Sequence, residues 1–457
     1  MPVSEIDKLL GIEVYATKGE GVGGAIRESV DDFVVEEVLV DGSKASVNGV
    51  VPNRVLGSSL QKQRFLLCVL VKRNWDTFIA VKNVAKSLGI DQASVQFAGI
   101  KDAKAVTAQH ITIENVLMED VGKADVKDIV VRPVGYVREM LSLFYLLGNN
   151  FTITIKSINN SEAIVEERVA QTIQELEVIG GIPNFFGHQR FGTTRPITHL
   201  VGKAIIRGNF EEAAMLFLAK PSVHEHPASR QARQQLESTG NFKQAQENFP
   251  KQLRFERLML NHLADNPDDF VGAFQCLPVK LQALFVQAHQ SYLFNRFLSE
   301  RVKYGLALNE VVVGDYVVGV ERSGLPLTTM AKIVTAENLA EIKAQVKAGR
   351  LRVALPIFGV KQKLSQGIMG QIENQVLEQE GVEVNNLQVN VLSRTGGKGG
   401  LRTVVTPIKD FKLQNVSANV DGNGYEAKVS FMLLRGSYAT VVLREIMKPS
   451  DLITAGF

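Results

Sequence analysis

The densest set of reactive side chains lies in FAGIKDAKAVTAQHITI, residues 97–113. A short apolar run ends in Gly99-Ile100-Lys101-Asp102, and Ala103, Ala105 and Thr107 behind it are small. An acid at the end of a strand with small neighbours leaves room for a planar substrate. The adjacent Lys101 and Lys104 favour the ionised carboxylate and attract phosphate. An ionised aspartate can serve as nucleophile or base. Far more often an aspartate in such a place forms an Asx turn and caps the loop between two strands. On physical grounds alone that second reading leads.

Other motifs carry less. GEGVGG (Gly19–Gly24) satisfies the dinucleotide spacing, but no apolar strand precedes it and no helix pattern follows, so it reads as a turn. TGGKGG (Thr395–Gly400) lacks P-loop spacing. His188 and His199 stand eleven apart without a partner at ligand spacing, and His224 and His226 flank Glu225 on a loop. Solvated histidines account for these better than a metal site. Cys68 and Cys276 are the only cysteines, which excludes a disulfide framework and fits a reducing cytoplasm.

The elements that must position these residues follow from hydrophobic period. AIRESVDDFVVEEVLV alternates and reads as a strand with Phe33 and Val35 inward and Val38 as a further inward candidate. QRFLLCVLVKR reads as a buried strand. In NWDTFIAVKNVAKSLGI the period changes to that of a helix, with Phe78, Ile79, Val81, Val84, Ala85 and Leu88 on one stripe. Asp76 or Asn74 caps its start and Gly89 its end. AVTAQHITIE, DIVVRPVGYV and NNFTITIKSI continue the sheet, and SEAIVEERVAQTIQELEVIGG is a strong helix. Residues 205–305 are helix-rich, and AKVSFMLLRGSYATVVLREIMK reads as strand, turn and helix.

At 457 residues the chain exceeds what one core accommodates. Hydrophobic residues make up 45% and charged residues 22%, which excludes global disorder and fibrous classes. No run of eighteen or more apolar residues occurs, and the charged first residues do not form a signal peptide. The sequons at Asn150, Asn160 and Asn415 are then chance. Net charge is only +3, but bases concentrate in residues 61–104, 188–207 and the last sixty or so. Convergence of these segments on one face would make a phosphate-binding surface. Ordinary solvated surfaces explain the pattern equally well. The first and last parts are both basic and β-rich, so the simplest organisation is discontinuous. Residues 1–183 and 391–457 form one domain, and 184–390 form an insertion.

Six segments, in order, resemble the TruD family of RNA pseudouridine synthases. They are GVGGAIRESVDDFVVEE, KRNWDT (Lys72–Thr77), the G-x-K-D-x-x-A-x-T-x-Q run from Gly99 to Gln109, GNNF (Gly148–Phe151), PNFFGHQRFG (Pro183–Gly192) and RGSYATVVLRE (Arg435–Glu445). The resemblance spans almost the whole chain, with an insertion as long as in archaeal-type members. Before GNNF, Phe144 stands where the family often has Gly, and Leu147 where it has a basic residue.

The resemblance implies an α+β fold: a catalytic domain with a mixed, mainly antiparallel sheet flanked by helices, plus an α/β insertion domain. It implies a tRNA pseudouridine synthase acting at uridine 13 of the D-arm. That isomerisation breaks a glycosidic C–N bond and joins uracil C5 to the sugar, with no cofactor and no metal. The catalytic carboxylate is then Asp102. Substrate-binding residues are Phe151 as a stacking platform, Asn149 on the uracil edge, and Lys101, Gln109, Gln189 and Arg190. Arg190 is a weaker candidate for the cation beside Asp102. By spacing alone Phe151 would be a core residue; Phe185, Phe186, Phe191 and Trp75 read as packing. The partner is tRNA, the protein is cytoplasmic, and no heptad argues against a monomer. Three other readings compete: a catalytically silent RNA-binding or RNA-chaperone protein on this fold, a synthase acting on other tRNA positions, and a hydrolase using Glu36 or Glu37 as a second acid.

Overall fold

The computed structural model describes residues 2–49, 54–382, 397–419 and 424–457. Six strands come first: β1 (Phe33–Leu39), β2 (Phe65–Arg73), β3 (Val95–Phe97), β4 (Val106–Glu114), β5 (Ile129–Val137) and β6 (Leu146–Ile158). They are followed by β7 (Ile182–Pro183), β8 (Tyr316–Val320), β9 (Pro326–Ile333), β10 (Leu351–Ile357), β11 (Gly400–Thr403), β12 (Val405–Thr406), β13 (Ile408–Ala418) and β14 (Tyr425–Leu434).

The large sheet runs in the order β13-β14-β6-β1-β4-β2-β5, with β3 paired to β4. Only the β1–β4 pair is parallel; every other pairing in it is antiparallel. The mixed, mainly antiparallel sheet with flanking helices is the expected α+β arrangement. A second sheet of order β11-β10-β8-β9 belongs to the later part of the chain. The chain leaves and rejoins the large sheet side by side, because β7 pairs with β12. The expected boundary between 390 and 391 lies outside the described residues, and β11 beyond it pairs with β10.

Strand β1 shows what alternation does to a site. Its burial pattern puts Phe33, Val35, Glu37 and Leu39 inside. The inward position expected for Val38 is therefore taken by Glu37, because a period of two cannot admit Val35 and Val38 on one face. The helix Thr77–Ser87 begins as expected at Asp76, whose carboxylate accepts from the N–H groups of Phe78 and Ile79. Its buried stripe is narrower than read from sequence: Phe78 and Ile79 are about half exposed, and Ala80, Val81, Val84 and Ala85 face the sheet. Phe78 instead lies edge-on to Phe97.

Residues 198–303 form a helical layer built on the long helix Val279–Lys303, which packs on the helix Thr198–Ile206. A Cβ at Gly202 would sit 2.0 Å from the Phe285 carbonyl oxygen, so only glycine permits that approach. Among the described residues no helix is long and apolar enough to cross a membrane.

Candidate active site

Three neighbouring strands at the middle of the large sheet carry the site. Register places Phe151 of β6 opposite Val35 of β1, and Asn149 opposite Glu37. Two residues apart on one strand, Asn149 and Phe151 project from the same face. Gly148 lets β14 approach, since a Cβ there would lie 2.0 Å from the Leu433 carbonyl oxygen. The loop joining β3 to β4 delivers Asp102 to this face.

The backbone of that loop is pinned at Gly99, Lys101 and Asp102. Gln109 donates to the Gly99 carbonyl at 3.0 Å. The Thr77 hydroxyl accepts from the Lys101 N–H at 3.1 Å and donates to its carbonyl at 3.2 Å. The Lys101 ammonium turns into the protein and donates to Glu37 at 2.7 Å. Glu37, with no exposed surface, also accepts from the His110 N–H at 2.8 Å. Burial would raise its carboxyl, but Lys101 and His110 together hold it below the ordinary range. A carboxylate so enclosed and neutralised is unavailable as a second catalytic acid.

Lys72 completes the clamp. It has no exposed surface, and its Nζ donates at 2.7 Å to the carbonyls of both Trp75 and Asp102. Burial pushes its ammonium down to about 8, against the pull of the Asp102 carboxylate. The Asp102 carbonyl is thus committed to the fold, and its side chain is left to the cleft.

The Asp102 side chain is partly exposed and pairs with Arg27, Nη2 to Oδ1 at 2.9 Å. Among the described residues its carboxylate caps no backbone N–H, so it does not form the Asx turn that physics alone favoured. Arg27 is held from three sides. Its backbone is left-handed at φ 59°, its guanidinium lies 4.0 Å over the Phe33 ring, and Nη1 donates to the Gly456 carbonyl at 3.3 Å. Burial lowers its pKa and the Asp102 carboxylate acts against that; a guanidinium stays charged regardless.

This pair stands in the wall of a cleft of about 440 Å³. Phe33, Val35 and Phe151 give it an apolar floor, Asn149 and Lys101 one side, and Gln189 with the Ser437–Thr440 segment another. The size suits a nucleoside-sized planar ligand. The Asn149 Oδ1 is buried without a hydrogen-bond partner among the described residues, an acceptor left open beside the cleft.

The residues singled out in the sequence divide into three groups. Asp102, Lys101, Asn149, Phe151 and Gln189 line the cleft. Gln109 does not; it positions the Gly99 carbonyl from below. Arg190 turns toward the long helix, where it donates to Ser291 and Gln287, both at 3.2 Å. The cation beside Asp102 is therefore Arg27 and not Arg190. Phe151 is both wall and core: it is 5% exposed and sits between Phe33 and Phe431, with ring centroids at 6.2 and 5.6 Å. Phe185 and Phe191 are buried, and Trp75 packs at the helix start with its Nε1–H on the Lys127 carbonyl.

The expected convergence of basic segments is thinner than their sequence density. Arg64, Arg73 and Lys101 pair with Glu114, Asp31 and Glu37. Arg195 donates to the carbonyls of Lys220 and Phe217, and Arg444 is buried on Asp7. Arg402 is wrapped around Asn184 and lies 4.2 Å over the Phe186 ring. The departures before GNNF also resolve: Phe144 is exposed in the turn Leu143–Tyr145, whose carbonyl at Leu143 accepts from Arg435 at 2.6 Å.

Arg27 and the Ser437–Thr440 segment were not read as site residues from sequence. Both lie inside segments that carried the resemblance, Arg27 in GVGGAIRESVDDFVVEE and the other in RGSYATVVLRE. That was the available signal.

Comparison with known proteins shows the family and the fold. The family described as tRNA pseudouridine synthase D (TruD) matches residues 9–446. A Methanosarcina mazei protein named "Probable tRNA pseudouridine synthase D" is 37% identical over 452 residues, covering 99% of each chain. A Thermococcus sibiricus protein of the same name is 35% identical over 438 residues, covering 95% of this chain and 97% of its own. The crystal structure of the Methanosarcina mazei protein superimposes with a TM-score of 0.82 over 98% of this chain and 99% of that one. Shared sequence from end to end and a shared fold place this chain in the TruD family of tRNA pseudouridine synthases.

Proposed function

We propose that this protein isomerises uridine to pseudouridine in tRNA, at position 13, with Asp102 as the catalytic carboxylate. The observation that carries the reading is the pinned Asp102, paired to Arg27, over an apolar floor beside an open acceptor at Asn149. A uridine that leaves its stack pays a few kcal/mol. Phe151 and Phe33 offer its base an apolar seat, and the N3–H of uracil is a donor that suits the Asn149 Oδ1. The sugar then lies over Asp102, and Arg27 holds the carboxylate in place through their ion pair. Lys101 and Gln109 act through the loop, and Gln189 closes the cleft from the side. Arg190 holds the segment carrying Gln189 against the long helix. The catalytic unit is the discontinuous one, 1–183 with 391–457 except for β11, which joins the sheet of the insertion, and 184–390 form the second wall.

The reading needs no cofactor and takes tRNA as its partner, acting as a cytoplasmic monomer. The test is incubation of an unmodified tRNA transcript with the protein, followed by chemical mapping of pseudouridine. A single new stop at position 13 is expected; pseudouridine elsewhere would revise the position.

The buried Lys72 gives this activity an alkaline limit. Its ammonium steadies the Asp102 carbonyl below about pH 8 and loses its charge above. Turnover in the wild type should therefore fall as pH rises through about 8, and that limb should vanish in Lys72→Met, which is slower throughout. Unfolding does not explain such a limb. The folded pKa lies below the unfolded one, so between about 8 and about 10.4 the unfolded chain binds more protons and stability from this group rises with pH. A melting curve at each pH separates the two.

A further inference from the structure

The Arg27–Asp102 pair is a partition with a hollow on each side. Behind it lies a second hollow of about 370 Å³ that shares Arg27, Asp102 and Gln189 with the cleft. The two differ in chemistry. The cleft is floored by rings and aliphatic groups, whereas the second hollow sets Lys104, Thr193, Thr194 and His224 beside Ile453, Gly456 and Phe457.

The first four are the side chains an anion needs. Lys104 is exposed and makes no ion pair or hydrogen bond among the described residues, unlike its neighbours Lys72 and Lys101. Thr193 and Thr194 are exposed, and their hydroxyls make no hydrogen bond among the described residues. Gly192, at φ 94°, turns the chain there, and the Thr194 carbonyl accepts from Ser222 at 2.7 Å. That bond ties the loop bearing His224 to the loop bearing the two threonines. The acid that His224 influences, Asp451, already caps the Ile453 N–H at 2.9 Å. Asp102, the one carboxylate lining the hollow, is neutralised by Arg27.

A uridine whose base lies in the cleft and whose sugar lies over Asp102 must carry its phosphates across this partition, because they are a few bonds from C1′. We propose that the second hollow is a phosphodiester subsite, in which Lys104 and His224, with the hydroxyls of Thr193 and Thr194, hold one linkage flanking the target uridine. It would seat the backbone so that only the base turns. This rests on the proposed reading of Asp102 as the carboxylate that meets the sugar.

The experiment uses the full-length protein and a D-arm RNA hairpin, with a neutral methylphosphonate placed in turn on the 5′ and 3′ sides of the target uridine. Affinity is read by fluorescence anisotropy and rate by release of tritium from uracil C5. One of the two neutral linkages should weaken wild-type binding and kcat/KM about tenfold, the worth of a charge-assisted hydrogen bond. Lys104→Gln with His224→Gln should lose the same factor on ordinary RNA, and the neutral linkage should then cost nothing further. Both side chains are exposed, so melting should be unchanged. Independent losses that multiply, or no loss from either neutral linkage, would overturn the subsite. Failure of the parent reading would look different: wild type would release no tritium from ordinary RNA, and anisotropy would still decide whether the linkage is held.

Discussion

Asp102→Asn is expected to lower tRNA pseudouridylation by about 10⁴-fold or more, the scale seen when an enzyme loses its central nucleophile or base. The amide keeps the shape of the side chain but can neither attack carbon nor take a proton. The loop should not move, because its bonds run through the Gly99, Lys101 and Asp102 backbone and the Lys101 ammonium, none of which involves the carboxylate. Affinity for tRNA should change little, since phosphate contacts dominate it. Arg27→Met should fall between the variant and the wild type. It removes the cation but leaves a carboxylate that is partly open to water. Single-turnover rates with saturating enzyme, alongside tRNA binding, separate these effects; normal turnover in Asp102→Asn would remove this residue from the chemistry.

Phe151→Ala should fail in two ways at once. Its ring is buried between Phe33 and Phe431 and joins the main core, so truncation should cost about 3–5 kcal/mol of stability. The same ring floors the cleft, so the folded fraction should also lose about ten- to a hundredfold in turnover, the worth of one base–aromatic stack. Phe151→Tyr tests the second loss alone, since it keeps the ring and adds a hydroxyl at its edge. Thermal melting with rates per folded molecule reads both. A large drop in melting temperature with normal chemistry in the folded fraction would make Phe151 a core residue only.

Sequence carried the sheet because strands rest on local pattern, whereas the cleft residues came only through the family resemblance: local pattern alone made Asp102 a turn cap and Phe151 a core residue. The strands β1, β2, β4, β5 and β6 follow from runs and alternation, and the helix Thr77–Ser87 from its cap at Asp76. Hydrophobicity points to Val38, but three residues after Val35 it falls on the opposite face of the strand, and the period of two puts Glu37 inside. The Glu37–Lys101 pair could not be seen, because its partners are far apart in sequence and meet only through the parallel β1–β4 pairing. Arg27 was hidden likewise: its pairing depends on a left-handed backbone and on the Gly456 carbonyl, from the other end of the chain. The basic segments misled in the opposite direction. Arg195, Arg402 and Arg444 are dense in sequence, yet each is bound to internal acceptors. A charge count does not distinguish a guanidinium that binds phosphate from one that ties loops together.

The central claim is that this cleft forms a carbon–carbon bond at uracil C5 under the control of Asp102. Joining C5 to the sugar expels the hydrogen at C5, so the direct measurement is tritium release from a tRNA transcript labelled at uridine C5. Wild-type protein in excess should release one equivalent of tritium per tRNA, from the uridine that mapping places at position 13, and Asp102→Asn should release none on the same timescale. Tight binding of the labelled tRNA without any release by the wild type would contradict the account and leave an RNA-binding protein on this fold.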